Sequence, residues 1–499
     1  MNILLKNYVC SIIIDLWGGY ANRKRIFLFW GSMAVASNKK WWKNSIVYQV
    51  YTDSFCDSNG DGIGDIPGII SKLHYLKDFG ADIIWLSPVF PSPRNDKGYD
   101  ISDFKGINPD YGTMEDMDRL VSRAKRLGIK IIMDIAINCT SDEHEWFKKA
   151  LAGDEKYKDY YYFRKGNGPF NPNNWHSFYG GSAWTKMEDG EYYLHLLGDS
   201  QPDLNWDNPD VYNEFADIMR FWLDKGISGF RLDNVNIIYK NTLENGKFSP
   251  ILAGKEHYLH TQACDEILKK FRNDVWSNYK SFIVGETVLT SVDDIRLLCD
   301  ENKGALDTAF FFGRMDADSK KVRRLRKYRN VGSLLRYVDK GQSSLEFPVN
   351  YLETGDDASY IKFFGSEQRS RLYFEKMLTG LNFSLRGIPF ISDGKSCSNP
   401  DELKEEDSLQ KFYARMIEFR KNSKALTEGR YRRIASRNDV FIFTREATEE
   451  RLYVYCNFSI FNKEVEFYGD RIIFSNYDTL ESQESILKPF EFRIVVSNI

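Results

Sequence analysis

The sequence predicts an α/β fold: a (β/α)8 barrel with a subdomain inserted after its third strand and a C-terminal antiparallel β domain. Three observations lead there. The first is a set of eight short β-branched or aromatic runs, "SIVYQVY", "ADIIWLSPVF", "IKIIMDIAIN", "GISGFRLDNV", "SFIVGET", "LDTAFFF", "LEFPVNY" and "IPFISDG". The second is that amphipathic helical patterns separate most of them, at 66–79, 113–127, 209–225, 260–278, 291–302, 369–385 and 408–422. Such alternation builds parallel βαβ units, and eight strands without a Gly-rich phosphate turn after the first favour a barrel over a doubly wound sheet. The third is that two regions break the alternation. Residues 139–207 are rich in Gly, Asn, Trp and Tyr with one strand pattern, "EYYLHLL". Residues 430–499 carry "VFIFTR", "RLYVYCNFS", "EVEFY", "RIIFS" and "FEFRIVVS" without helices, as expected of an antiparallel domain. The expected organisation is therefore an extension over 1–40, a barrel over 41–138 and 208–429, an insertion over 139–207 and a β domain over 430–499.

Composition narrows the function classes. At 499 residues, 42% apolar and 28% charged, the chain is long enough for several domains and ordinary for a globular protein. A net charge of -3 leaves no basic footprint, so nucleic acid is not an expected partner. Aromatics at 15% suit a filled core and also sugar stacking. Seven cysteines (10, 56, 139, 264, 299, 397, 456) show neither zinc nor disulfide spacing, which points to a reducing, cytoplasmic setting. Near the start, "NRKR" followed by "IFLFWGSMAVAS" has the order of an export signal, but the apolar run begins only after about twenty residues that include Lys6, Asp15 and Arg23. The run is too short to span a bilayer, so no membrane partner is expected. We read residues 1–40 as an extension outside the fold, with Met33 as a candidate start.

Catalytic groups of such barrels stand where strands run into the loops of the carboxyl-terminal face. The polar residues there are Asp134 and Asn138 on the third strand, Arg231 and Asp233 on the fourth, Glu286 on the fifth, and Glu353 and Asp356 just past the seventh. Arg231 and Asp233 are two apart and face one side, the barrel interior. The guanidinium is expected to keep Asp233 ionised by lowering its pKa, and desolvation after the apolar "FIV" is expected to raise that of Glu286. Two carboxyls in opposed environments are what a retaining glycosidase needs, one to attack the anomeric carbon and one to protonate the leaving oxygen. Taken singly, each could equally be a polar residue that closes a strand.

The longer motifs "WWKNSIVYQVYTDSFCDSNGDGIGDIPGI", "GYDISDF", "GTMEDMDRL", "NNWHSFYGGSAW", "QPDLNWDNPDV", "RFWLDKGISGFRLD" and "VGET" closely resemble glycoside hydrolase family 13, the alpha-amylase superfamily. "QPDLN" favours its oligo-1,6-glucosidase and α-glucosidase branch. The resemblance implies Asp233 as nucleophile, Glu286 as acid/base and Asp356 as the carboxylate that holds the sugar in the transition state. It further implies Asp96, Tyr99, Asp134, Phe178, Gln201, Arg231 and Asn234 around the sugar. It also makes "DSNGDGIGD" a metal loop, with Asp57, Asn59, Asp61, the Ile63 carbonyl and Asp65 as ligands. Alternating hard oxygens with a Gly at the sixth position suit a structural Ca²⁺, and Gly68 at the twelfth excludes an EF-hand. No organic cofactor is expected.

The chain departs from that family at the pocket. Where the family has "DxxxNH" this chain has "DIAINC", which puts Cys139 in place of a sugar-binding histidine, and "ETGD" leaves Gly355 in place of a second. Leu197 replaces an aromatic residue, and Asn234 follows the nucleophile where Val or Thr is common. "GKSCSN" replaces "GEEIGM", and the long loop that normally follows, with its sugar-binding arginine, is almost absent. A more open site is expected. Each lost charged or buried hydrogen bond costs about 1–3 kcal/mol, so three would remove roughly 10² to 10⁶ in rate on a glucose-like substrate. Cys139 itself could act as a nucleophile only with a base in reach. Of the six histidines His144 is nearest in sequence, and a passive thiol is expected. The expected function is a retaining α-glycoside hydrolase that cleaves short α-linked oligosaccharides. The alternatives are a weakened or inactive sugar-binding homologue, and a transglycosylase or isomerase acting on sucrose- or trehalose-like substrates.

Overall fold

Alternation of side chains along each strand builds the barrel. The computed structural model describes residues 40–310, 331–352, 368–392, 408–437, 439–477 and 485–497. In chain order come β1 (Val47–Val50), β2 (Ile83–Leu86) and β3 (Lys130–Ala136). An excursion follows, with β4 (Phe163–Lys165), β5 (Trp184–Lys186) and β6 (Glu191–Leu194). The chain returns through β7 (Gly229–Asp233), β8 (Phe282–Glu286), β9 (Thr308–Phe310), β10 (Val349–Asn350) and β11 (Ile388–Ile391). Eight of these form one parallel sheet in the order β10-β11-β1-β2-β3-β7-β8-β9. Its two end strands meet: Thr308 Oγ1, on β9, donates to the Phe347 carbonyl just before β10 at 2.6 Å, and the Phe310 and Tyr351 rings pack edge to face. The eight expected strands are thus all present, and they curve into a barrel.

Val47, Ile83, Trp85, Ile132, Phe282, Val284, Phe310, Ile388 and Phe390 form one buried cluster inside it. Their neighbours Tyr48, Ile84, Met133, Phe230, Leu232 and Ile283 belong to the larger core between strands and helices. With a period of two, Asp134 follows Ile132 and Glu286 follows Val284 on the inward side. Register pairs Asp134 with Arg231, so Arg231 and Asp233 share that side.

The helices open on local signals. Thr113 and Asp116 form a capping box at Met114–Arg126, and Asn208 caps Pro209–Asp224 with proline at the first helical position. The pattern at 66–79 is two helices, Ile66–Ser71 and Leu73–Phe79. That at 260–278 contains a π turn, Arg272–Trp276. Several described helices lie outside the expected patterns, among them Glu145–Leu151, Lys424–Glu428 and, the longest, Val331–Ser344. Its Gly and Ser residues lower helix propensity, and burial of Leu334, Leu335 and Val338 compensates.

In the excursion β4, β6 and β5 form an antiparallel sheet, where the sequence showed only the β6 pattern. Strands three residues long carry too little alternation to be read. This sheet packs on a second cluster that includes Trp175, Phe178, Leu194, Leu196, Leu197, Tyr258 and Cys139. At the C-terminus, β12 (Arg430–Arg437), β13 (Val440–Glu446), β14 (Arg451–Asn457), β16 (Arg471–Ser475) and β18 (Phe492–Ser497) form a five-stranded sheet. Between them β15 (Lys463–Glu464) pairs with β17 (Ile486–Leu487). β12 was missed because its arginines hide the alternation. Among the described residues no helix is long and apolar enough to cross a membrane.

Candidate active site

The inward-facing polar side chains converge at the carboxyl ends of β3, β7 and β8. Arg231 is the hub. Its Nη1 lies 2.6 Å from Asp134 Oδ1 and 2.7 Å from Asp233 Oδ1, and its Nη2 pairs with Glu286 Oε2. Its guanidinium lies over the rings of Trp85 and Tyr99. Burial works against its charge, but Asp134, Tyr99 and Asp233 together hold its pKa above the ordinary value.

Asp134 is fully buried and accepts from Arg231, from the Tyr99 hydroxyl at 2.8 Å and from Trp85 Nε1 at 3.2 Å. Both its oxygens are engaged by protein. It is therefore an internal anchor for Arg231 and Tyr99, with burial raising its pKa.

Asp233 corrects an expectation. Burial is the largest influence on it and raises its pKa above the ordinary carboxylate range, while Arg231 opposes the rise. Nor is Glu286 isolated in an apolar pocket, because the same arginine reaches it and its side chain is 24% exposed. The two carboxyls share one cation, so their environments are less opposed than the sequence suggested.

The loop after β2 supplies the rim. Asp100, fully buried, accepts from Ser92 Oγ and from the backbone N–H groups of Asn95 and Asp96, which fixes the turn that presents Asp96 and Tyr99. Asp96 Oδ2 accepts from Gln201 Nε2 at 3.1 Å and from the Tyr179 hydroxyl at 2.9 Å. Burial again raises its pKa. Phe178 is buried in the second core and packs near Tyr258. Asn234, just past β7, donates from Nδ2 to Asp233 Oδ2 at 2.5 Å.

Cys139 is fully buried among the apolar side chains of the insertion. Burial drives its thiol well above the ordinary range, and Asp203, Asp233 and Asp96 add to that. A thiol kept protonated is no nucleophile. His144 does not serve it, since its Nδ1 accepts from the Trp146 N–H as a helix cap and burial lowers its pKa to about 4. Beside Cys139, the Asn138 amide donates to Asp203 and its oxygen accepts from Lys240 Nζ at 2.9 Å. Lys240 also lies 2.7 Å from Asp203 Oδ2, with both side chains fully buried. This pair, Asp100 and Tyr179 were not picked out from sequence. The Lys240–Asp203 pair and Tyr179 are tied to the site by contacts between distant segments, and Asp100 by bonds within its own loop.

Glu353, Gly355, Asp356 and the "GKSCSN" segment lie outside the described residues.

In the loop that begins at Asp57, the glycines 60 and 62 adopt positive φ. Asp57 accepts from the N–H groups of Asn59, Gly60 and Gly62, which lowers its pKa. Asp61 accepts from the Ile63 N–H and the Asn59 amide, and Asp65 caps the following helix through Gly68 N–H while accepting from Ser58. The donors are hard oxygens, as calcium requires. Among the described residues no three His, Cys, Asp or Glu side chains are grouped so as to hold a metal ion. An ion would therefore have to draw the Asp57 and Asp61 carboxylates from their N–H partners toward a shared centre.

A parallel barrel that brings two carboxyls together at its carboxyl-terminal mouth has an active-site position typical of barrel enzymes and the paired acidic groups that glycoside hydrolysis uses. Residues 49–401 match the family described as alpha amylase, catalytic domain. The oligo-1,6-glucosidase of Parageobacillus thermoglucosidasius is 38% identical over 411 residues, 78% of this chain and 73% of that one. The crystal structure of Bacillus licheniformis trehalose-6-phosphate hydrolase superposes with a TM-score of 0.83 at 28% identity, covering 92% of this chain and 100% of that chain. Trehalulose synthase from Pseudomonas mesoacidophila MX-45 gives a TM-score of 0.83 at 29% identity over 91% of this chain and 99% of that one. The chain belongs to the alpha-amylase family.

Proposed function

We propose that the protein is a retaining α-glycoside hydrolase acting on short α-linked oligosaccharides, with Asp233 as nucleophile and Glu286 as acid/base. The observation that carries this is register. β7 and β8 pair Arg231 with Val284 and Leu232 with Gly285, so one step further Asp233 stands beside Glu286. Neighbouring strands are about 4.8 Å apart. That suits the roughly 5–5.5 Å between the carboxyls of a retaining pair better than the wider, water-holding gap of an inverting one.

In the first step an Asp233 oxygen attacks the anomeric carbon as its bond to the leaving oxygen breaks, and that oxygen takes the Glu286 proton. In the second, water gives its proton to the Glu286 carboxylate and attacks the same carbon, and the bonding pair returns to Asp233. Arg231 steadies both carboxylates throughout. Asp356, assigned by its motif, holds the sugar hydroxyls, and Asp96 with Gln201 and Tyr179 grips the terminal sugar.

The oligo-1,6-glucosidase relative supports α-glucosides as the substrate class. The likeness to trehalulose synthase favours transfer or isomerisation as the second reading. Burial of Cys139 at a position where the resemblance implies a histidine favours a catalytically weakened or inactive sugar-binding homologue as the third. Incubation with isomaltose-, maltose-, trehalose- and sucrose-type substrates, including trehalose 6-phosphate, separates them. Free glucose supports hydrolysis, a rearranged disaccharide supports isomerisation, and bound but uncleaved sugar contradicts all catalysis. We further propose that Asp57, Asn59, Asp61, the Ile63 carbonyl and Asp65 hold a structural Ca²⁺, and that the protein works in the cytoplasm. Cys56, Cys139, Cys264 and Cys456 form no disulfide.

A further inference from the structure

The residue after the proposed nucleophile carries more than a place in the pocket wall. Asn234 has φ 44° and ψ 40°, a left-handed conformation that Asn tolerates better than most residues. The turn it makes leads straight from β7 into the 3-10 turn Val235–Ile237. There Asn236 clasps the chain after β8: its Oδ1 accepts from Val288 N–H at 2.9 Å and its Nδ2 donates to the Val288 carbonyl at 2.8 Å. Val288 is two residues beyond Glu286. One turn therefore links the ends of the two strands that carry the carboxylates.

The Asn234 side chain caps nothing in that turn. Its amide is directed at Asp233 Oδ2, at 2.5 Å. An amide oxygen would repel a carboxylate, so the nitrogen is the end that faces it. Arg231 holds Oδ1, so both oxygens of Asp233 are engaged, one by a cation and one by a neutral donor.

We propose that Asn234 is a positioning residue for Asp233, clamping the oxygen that Arg231 leaves free and favouring its release from the glycosyl ester. This rests on the glycosidase reading above. A hydrogen bond to a carboxylate is about twice as strong as one to a neutral acceptor. Forming the ester removes the charge from Asp233 and weakens the Asn234 bond. When water attacks the anomeric carbon and gives its proton to Glu286, the electron pair of the carbon–oxygen bond returns to Asp233, and the Asn234 bond regains its strength. The clamp thus opposes accumulation of the covalent intermediate and hastens its breakdown.

The charged and titratable groups that face Asp233 are Arg231 on its own strand, Asp134 on β3, Asp96 and Tyr99 on the rim loop, Cys139 from the insertion, and Glu286 through the shared arginine. None of them changes in the variants chosen to test the clamp. Asn234→Gly keeps the left-handed backbone without strain and removes the donor. Asn234→Asp keeps the shape and replaces the donor with a charge. In the full-length chain, rapid-mixing kinetics on an aryl α-glucoside are expected to show a burst for Asn234→Gly, with the glycosyl-enzyme living roughly tenfold longer than in the parent. The acid limb of kcat/KM is expected to move to higher pH in Asn234→Gly and further still in Asn234→Asp, an order that a purely structural role would not give. An unchanged limb with no burst in Asn234→Gly would overturn the proposal. Titration of the carboxyl-labelled Asp233 by ¹³C NMR, assigned with Asp233→Asn, reads the same donation without turnover. A parent protein that binds sugars and cleaves none refutes the glycosidase reading. The clamp is then decided by whether the Asp233 titration shifts in the two variants.

Discussion

Arg231 Nη1 sits 2.6 Å from Asp134 Oδ1 and both side chains are buried, so the cation that serves the mouth of the barrel is anchored from beneath by a carboxylate no solvent reaches. The same guanidinium spans Asp233 and Glu286 on neighbouring strands. Lysine carries one point of charge on a flexible stem and cannot make this three-way contact. Arg231→Lys is expected to lower kcat by at least about 10² and to destabilise the fold by about 3–5 kcal/mol, because it leaves a buried carboxylate poorly compensated. Steady-state kinetics and denaturant melts check both. Activity within a few-fold of the parent would contradict the hub role.

The acid limb of kcat/KM should lie above the ordinary aspartate value of about 4, because burial raises the pKa of Asp233 and the proposed role as nucleophile requires it ionised. The stability consequence has the opposite sense to that of an ordinary salt-bridged aspartate. A carboxyl whose folded pKa exceeds its unfolded one favours the fold below the unfolded pKa, and that contribution is lost as pH rises through the folded pKa. At neutral pH the ionised Asp233 therefore costs stability. Asp233→Asn is expected to abolish turnover while raising Tm, with the gain shrinking toward pH 4. A lower Tm at pH 7 would count against this account.

Cys139 should resist chemistry. In the native protein, iodoacetamide at pH 8 is expected to leave it unmodified, while the partly exposed Cys56 reacts. Peptide mapping reads this directly. Rapid alkylation of Cys139 would show an accessible thiolate and reopen the nucleophile reading.

Lys240 and Asp203 are buried together, with Asn138 bonded to both. Lys240→Met strands a buried carboxylate and is expected to cost about 3–5 kcal/mol, whereas Lys240→Met combined with Asp203→Leu should recover much of that loss. Denaturation midpoints of the single and double variants measure the coupling, and additive losses would contradict it.

If the loop from Asp57 to Asp65 binds calcium, millimolar Ca²⁺ should raise Tm over that in chelator, and Asp61→Ala should remove the increment. Asp61 is exposed on the loop, so its loss is not expected to unfold the barrel. Identical melts with ion and with chelator would refute the assignment.

Much of the barrel was legible because β3 and β8 are buried on both faces, so they read as short continuous apolar runs bounded by clear turn and helix signals. Arg231 and Asp233 could be placed on one interior face from spacing alone. Val331–Ser344 and β12 were not legible, since Gly, Ser and Arg mask patterns that only tertiary burial sustains. Asp134 could be located but its duty could not, because Trp85, Tyr99 and Arg231 reach it from separate segments. The direction of the Asp233 pKa was misjudged for a related reason. The sequence shows the neighbouring arginine, but the depth of burial that outweighs it is a property of the packed barrel.

The central claim is that Asp233 attacks an anomeric carbon. Incubating the full-length protein with an activated 2-deoxy-2-fluoro α-glucosyl donor, followed by peptide mass spectrometry, tests it most directly. The account predicts a glycosyl ester on Asp233 that is absent from Asp233→Asn. An ester on another residue, or none while the sugar demonstrably binds, would contradict it.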